Sequence, residues 1–356
     1  MVDRNIRHNM IFRLLLYPLS FIYGFVTQVR NLFFDAGIFR IQQFPIPVIS
    51  VGNISAGGTG KTPMTMWLIN LLEDEFNKIA IVSRGYKRKT KGMVVVSDGR
   101  GNITTAQEGG DEPVLIATKC PQCPVIVAEK RSQGVKKALA DFTPDLIILD
   151  DAFQHRWVHR SCDIVLLDAR QSLQDERVLP LGNLRERLSN LQRADILIFT
   201  KSKESPVDQD LKLVKEFFSG PIFMSKYLPT QIVDLQFKPI LNVKSMMEQG
   251  VVAIAGISDP NLFMQFINVC GFEVKNSKYY PDHHNYTEQD IEEIKTIARE
   301  NNTKYLCTTE KDLVKLSGFD FNGLEVCALS IKIELEDHEM LRQIIIAYID
   351  KGVKNV

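Results

Sequence analysis

Residues 47–62, PVISVGNISAGGTGKT, constrain this chain more than any other stretch. Val48–Val51 is an apolar, β-branched run of the kind buried in a parallel sheet. The glycines Gly57, Gly58 and Gly60 follow, then Lys61 and Thr62. Beyond them Met64, Trp67, Leu68 and Leu71 recur at helical spacing. Strand, glycine loop, Lys-Thr and helix is the context that a Walker A loop requires. In such a loop backbone N–H groups cradle phosphate oxygens at a helix N-terminus. The predicted nucleotide-binding residues are Ser55, Ala56, Gly57, Gly58, Thr59, Gly60, Lys61 and Thr62. Lys61 is expected to neutralise the β- and γ-phosphates, and Thr62 to ligate Mg²⁺. Ser55 replaces the first glycine of the usual pattern.

A second motif supports the first. Residues 145–151, DLIILDD, form an apolar run that ends in two aspartates. Downstream of a Walker A loop this pattern makes Asp150 and Asp151 candidate metal residues. The guanine-reading N-K-x-D pattern is not met at 194–203, where Thr200-Lys201 lacks a preceding Asn and Lys203 replaces the aspartate. Ala56 stands where a partition-type ATPase carries a second lysine. A kinase or another ATP-using enzyme remains, with a membrane-associated ATPase switch as the alternative.

A kinase needs a base beside the acceptor hydroxyl. In GGDEP, 109–113, two glycines precede Asp111 and Glu112, and Pro113 suits the first turn of a helix. YYPDHHNYTEQD, 279–290, places His283 and His284 before a helix that Thr287 and Asp290 would cap. Two histidines without a cysteine partner make a poor zinc site, so a histidine that orients a carboxylate is the better reading, with a structural histidine as the alternative. CPQC, 120–123, is a single C-x₂-C and reads as structural. The basic run Tyr86–Lys91 fits either a phosphate-facing loop or a solvated one.

Residues 14–29, LLLYPLSFIYGFVTQV, carry no charge and are bounded by Arg13 and Arg30, with Arg4, Arg7 and His8 before them. Sixteen helical residues cover about 24 Å, short of the roughly 30 Å hydrocarbon core. The flanking arginines and many aromatics suit an interfacial anchor or a buried helix better than a full span. Lys+Arg and Asp+Glu both number 43, which argues against a nucleic-acid-binding surface. Six cysteines are too few for a disulfide scaffold.

The ordered motifs VGNISAGGTGKTP, SRGYKR, GGDEP, LDDAFQHR, PLGNLRE, AGISDP, YPDHH and TTEKD resemble the tetraacyldisaccharide 4′-kinases, the lipid A 4′-kinases of Gram-negative bacteria. The resemblance spans residues 10–345, and Ala152 stands where that family has glycine. It implies transfer of the ATP γ-phosphate to the 4′-hydroxyl of an acylated glucosamine disaccharide 1-phosphate. ATP and Mg²⁺ are the implied cofactors, with no obligate protein partner. It also implies a membrane helix and a seat on the cytoplasmic face of the inner membrane. Asp111 corresponds to the base, His283 to its partner, Glu112 to a metal-associated neighbour, and Arg185 to an arginine at the substrate and phosphate site.

The expected fold is α/β: a P-loop NTPase-like parallel sheet with helices on both faces, plus a smaller C-terminal α/β domain and an N-terminal membrane-associated helix. The expected divisions are 1–35 for that helix, 36–225 for the kinase core, 226–250 for a linker and 251–356 for the smaller domain. On that division Asp111 and His283 belong to different domains, and domain closure is expected to join them.

Overall fold

A computed structural model describes residues 10–101, 103–174, 176–202 and 208–354. Arg4, Arg7 and His8 lie outside the described residues. The chain forms two compact units that are not sequential. The first comprises 1–83, 130–226 and 335–356; the second comprises 84–129 and 227–334.

The first unit is built on a parallel sheet. Its strands are β1 (Val48–Asn53), β2 (Ile79–Ser83), β5 (Leu146–Asp150), β6 (Cys162–Asp168), β7 (Ile196–Thr200) and the start of β8 (Ile222–Asp234), in the order β8-β7-β6-β1-β5-β2. Every residue of β1, β2, β5, β6 and β7 is buried, as continuous apolar runs in a covered sheet require. The central strand β1 has β5 on one side and β6 on the other. The glycine loop that follows β1 thus lies among the C-terminal ends of three strands, where open α/β sheets carry their ligand sites.

The first helix, α1 (Met10–Asp35), belongs to this unit and has an inverted pattern. Ser20, Gly24, Thr27, Asn31 and Phe34 recur every three or four residues and are buried. Leu14, Leu15, Tyr17, Phe21, Ile22, Phe25 and Val26 are exposed. Ser20 Oγ donates to the Val178 carbonyl at 2.7 Å, and Asn31 Nδ2 donates to Glu186 at 2.6 Å. Apart from Phe34 at its end, small and polar residues thus face the protein while most of the large apolar ones face outward. No helix among the described residues is long and apolar enough to cross a membrane.

The second unit has strands β9 (Val251–Ala255), β10 (Val274–Tyr279), β11 (Tyr305–Thr309) and β12 (Glu325–Leu335), ordered β10-β9-β11-β12 and paired in parallel. The later part of β8 lies beside β12. The expected linker at 226–250 is therefore largely structured, with β8 running to Asp234 and a helix at Lys244–Gln249. An antiparallel pair, β3 (Val94–Asp98) and β4 (Pro124–Val127), also belongs to this unit. So does the helix Asp111–Lys119, which packs against the helix Glu310–Leu316. That helix buries Val114, Leu115, Ile116 and Ala117, and this burial places 84–129 with the later chain instead of the expected 36–225 core.

Candidate active site

In the first unit, Gly60 takes φ 87° and the next helix begins at Lys61. A left-handed residue at that turn favours glycine over any side chain with a Cβ. Thr62 is buried in the first turn. Ser55, the departure from the usual glycine, pairs in a β-bridge with Leu184, and Ala56 N–H donates to the Asn183 carbonyl at 2.6 Å. The strand-like contact with 183–184 gives Ser55 a fixed backbone place without glycine's freedom. Thr59 is held from beneath, accepting from Asn53 Nδ2 at 2.9 Å and from Thr200 Oγ1 at its carbonyl at 2.8 Å.

Asp150 and Asp151 diverge. Asp150 is fully buried, and its oxygens accept from Thr65 Oγ1 at 3.2 Å and Ser83 Oγ at 3.1 Å. Asp151 turns through φ 51° and faces cations: Arg185 Nη1 lies 2.8 Å and Lys61 Nζ 3.7 Å from its Oδ1. Burial alone would raise the Asp151 carboxyl, but Lys61 and Arg185 overcome it and hold the group at about 2. Arg185 is fixed through its own backbone, since its N–H donates to the Ile54 carbonyl at 2.7 Å. Ala152 is fully buried and does not take positive φ, so alanine fits where glycine was expected.

In the second unit, Gly110 takes φ 92°, which favours glycine, and Asp111 opens the next helix. His283 Nδ1 lies 3.0 and 2.9 Å from the two oxygens of Asp111. Asp111 Oδ1 also accepts the Glu112 N–H at 2.9 Å. Burial pushes the Asp111 carboxyl up, while the His283 hydrogen bond and the nearby lysines 311 and 315 bring it down to about 2. Both residues belong to one unit, so this pair needs no domain closure, contrary to the expectation from the linear division. The two histidines separate because His283 sits at φ 60°. His284 instead meets Asp290 at 3.0 Å and stacks on Tyr280 at 4.5 Å. The predicted capping box of Thr287 and Asp290 is present.

The described residues contain no group of three or more His, Cys, Asp or Glu arranged to hold a metal by itself. Thr62, Asp150 and Asp151 lie in the first unit. Glu112 lies in the second, where Lys311 Nζ is 3.1 Å from its Oε1. Cys120 and Cys123 are both buried. In the basic loop, Arg88 pairs with Glu129 at 2.7 Å and Lys87 Nζ donates to the Asp282 carbonyl at 2.9 Å.

The sequence family described as tetraacyldisaccharide-1-P 4′-kinase, LpxK, matches residues 12–350. The chain belongs to the tetraacyldisaccharide 4′-kinase family. A tetraacyldisaccharide 4′-kinase from Aquifex aeolicus is 38% identical over 338 residues, covering 93% of this chain and 97% of that protein. One from Syntrophus aciditrophicus is 36% identical over 355 residues, covering 96% and 94%. The crystal structure described as the "apo" form of LpxK from Aquifex aeolicus in complex with ATP matches with a TM-score of 0.79. It is 36% identical and covers 95% of this chain and 99% of that one.

For this tetraacyldisaccharide 4′-kinase family member, sequence reading missed residues at the ends of β6 and β7. Lys201 Nζ donates to the Gly58 carbonyl and pairs with Asp168 Oδ2 at 2.8 Å. Asp168 and Thr200 are register partners in the sheet. The available signal was a polar residue at the end of each apolar strand. Its meaning depends on strand order, which linear spacing does not carry. In TTEKD, Thr309 caps the helix Glu310–Leu316 by accepting the Asp312 N–H, and the Asp312 carboxylate accepts the Gly256 N–H at 2.9 Å, while the Gly256 carbonyl accepts the His283 N–H at 3.1 Å. AGISDP, YPDHH and TTEKD thus converge on His283.

Proposed function

We propose that this chain transfers the γ-phosphate of ATP to the 4′-hydroxyl of tetraacyldisaccharide 1-phosphate, giving lipid IVA and ADP in lipid A biosynthesis. The observation that carries this reading is the family match through residues 12–350, which spans both units. The glycine loop 55–62 of the first unit binds the nucleotide phosphates, and the cations Lys61 and Arg185 meet the charge of the transferring group. Asp111 of the second unit accepts the proton of the 4′-hydroxyl. The freed oxygen forms its bond to the γ-phosphorus as the bond to the β-phosphate oxygen breaks.

Mg²⁺ fits the residues of the first unit. Thr62, Asp150 and Asp151 offer only hard oxygen donors, and too few of them to enclose an ion without phosphate and water. When bound, the ion neutralises charge on the β- and γ-phosphates. Thr62 and the Asp150–Asp151 pair are the residues that would hold it. Glu112 is the metal-associated neighbour that the resemblance implies.

We also propose that α1 seats the enzyme on the cytoplasmic face of the inner membrane, because its exposed face is apolar and its polar face is spent on the protein. A monotopic seat suits an acylated substrate and a nucleotide drawn from the cytoplasm.

Purified protein with Mg²⁺, γ-labelled ATP and detergent-dispersed disaccharide 1-phosphate lipid tests the reading. Label on the lipid, lost in Asp111→Ala, supports it. Label released only as free phosphate overturns it.

A further inference from the structure

Lys311 stands at the centre of the second unit's charged cluster. Its Nζ lies 3.1 Å from Glu112 Oε1, 3.3 Å from Asp282 Oδ1 and 3.2 Å from His283 Nε2. An ammonium has three N–H donors and no acceptor. Its three neighbours here supply three acceptors.

We infer that Lys311 is a positioning residue that holds His283 in the tautomer protonated at Nδ1. The inference rests on the reading of Asp111 as the base. A neutral imidazole has one donor nitrogen and one acceptor nitrogen. The group nearest Nε2 is the Lys311 ammonium, which can only donate, while Asp282 Oδ2 and Glu112 Oε1 stand beyond hydrogen-bond reach at 3.8 and 4.0 Å, so Nε2 accepts. The ring proton is therefore on Nδ1, the nitrogen that faces both oxygens of Asp111. The imidazole then donates to the carboxylate and fixes its orientation. It also offers Asp111 no bare nitrogen, so a proton taken from the acceptor hydroxyl stays on Asp111 until solvent removes it. Lys315 makes a useful contrast. Its Nζ lies 3.8 Å from Asp111 Oδ2 and 2.7 Å from Asp312 Oδ1, and it does not face His283 Nε2.

The test uses the full chain in detergent with ¹⁵N-labelled histidine. Two-bond proton–nitrogen correlation reads the tautomer, and the spectrum of His283→Gln assigns the signal. The wild-type His283 ring is expected to show a protonated Nδ1 and a bare Nε2. Lys311→Met is expected to shift the ring to the other tautomer or to a mixture. Its kcat is expected to fall about 10- to 100-fold, the usual range for the partner that orients a functional histidine. KM for ATP should stay within about threefold, because the nucleotide loop is untouched. Lys311→Arg keeps a donor and is expected to keep the tautomer and most of the turnover. Lys315→Met should leave the tautomer unchanged.

A protonated Nε2 in the wild type overturns the inference, as does an unchanged tautomer in Lys311→Met. If Lys311→Met does not fold, the wild-type and Lys311→Arg spectra decide, and loss of the Nδ1–H tautomer in the arginine variant overturns it. Failure of the functional reading is separate: it shows as full turnover in Asp111→Asn, whatever the tautomer.

Discussion

Arg185 and Asp151 meet at 2.8 Å although 34 residues separate them in the chain. Lys61 approaches the same carboxylate oxygen, so the cation that opens the helix after the glycine loop and the cation of the PLGNLRE segment converge on one point. Truncating Arg185 should therefore act on phosphoryl transfer more than on folding. Arg185→Ala is expected to lower kcat by about 10³-fold, at the lower end of what a charge-stabilising arginine contributes. Arg185→Lys should recover only part of this, because an ammonium is not a planar fork. Steady-state kinetics beside a thermal melt within a few degrees of wild type checks both. Unchanged kcat removes Arg185 from the transfer step.

Asp111 and His283 should behave as one unit. Asp111→Asn is expected to cost about 10²- to 10⁴-fold in kcat, the usual contribution of a general base. His283→Gln should cost less. The double variant should be scarcely worse than Asp111→Asn, since the ring acts through the carboxylate. Additive losses would mean that His283 has a separate role.

Glu186 is fully buried and gathers Asn31 at 2.6 Å, Arg193 at 2.8 Å and Arg30 at 3.3 Å. It is one of the points where α1 is held to the first unit by charge, the Asp35–Arg156 pair at 2.6 Å being another. Glu186→Leu leaves Arg193 without its main counter-charge and is expected to destabilise by about 3–5 kcal/mol. Asn31→Leu keeps the ion pairs and should cost about 1–3 kcal/mol through the unsatisfied carboxylate. Denaturant melts of the two proteins give the comparison, and equal effects would contradict it.

Asp195 carries a stability effect with a definite sign. Burial raises its carboxyl to about 6, and neighbouring Asp163 pushes the same way, while the Asp163 N–H and Arg160 oppose them. Cys162 and Tyr348 also lie close enough to sense it. A carboxyl raised in the folded state favours folding most below its unfolded value near 4. That contribution is lost as pH rises through about 6. Asp195→Asn should thus raise stability at pH 8 by about 1–2 kcal/mol, because solvent screens part of the effect at this half-buried site, and change little at pH 4. Melting temperatures at the two pH values measure it. A variant less stable at pH 8 would contradict it.

The outward face of α1 makes the last prediction. Leu14 and Phe21 are 78% and 61% exposed. Burial of such side chains contributes about 1.5–3 kcal/mol each. Replacing both by glutamate should lower vesicle binding at least about tenfold without unfolding the protein. Flotation on anionic vesicles with circular dichroism reads both. Undiminished binding would move the membrane contact elsewhere.

Much of the site was legible in local patterns. The loop 55–62, the strand ending in Asp150 and Asp151, and the helix opening at Asp111 each follow from a few adjacent residues whose backbone preferences and apolar periodicity suffice. The choice between His283 and His284 was not legible, because it turns on a single left-handed residue and on which carboxylate each ring then meets. Lys311 and Lys201 escaped for the same reason: a lysine's meaning is its partner, and their partners lie up to 199 residues away.

Glycines, β-branched runs and helix starts act over a few residues, so the glycine loop, the parallel strands around it and the family could be read from local sequence. Tertiary structure alone decided that 84–129 packs with the later chain, that Asp111 meets His283 within one unit, and that α1 turns its polar face inward. Those outcomes depend on which buried surfaces and charges find each other through space, and burial and Coulomb attraction act between neighbours in the fold whatever their separation in the chain.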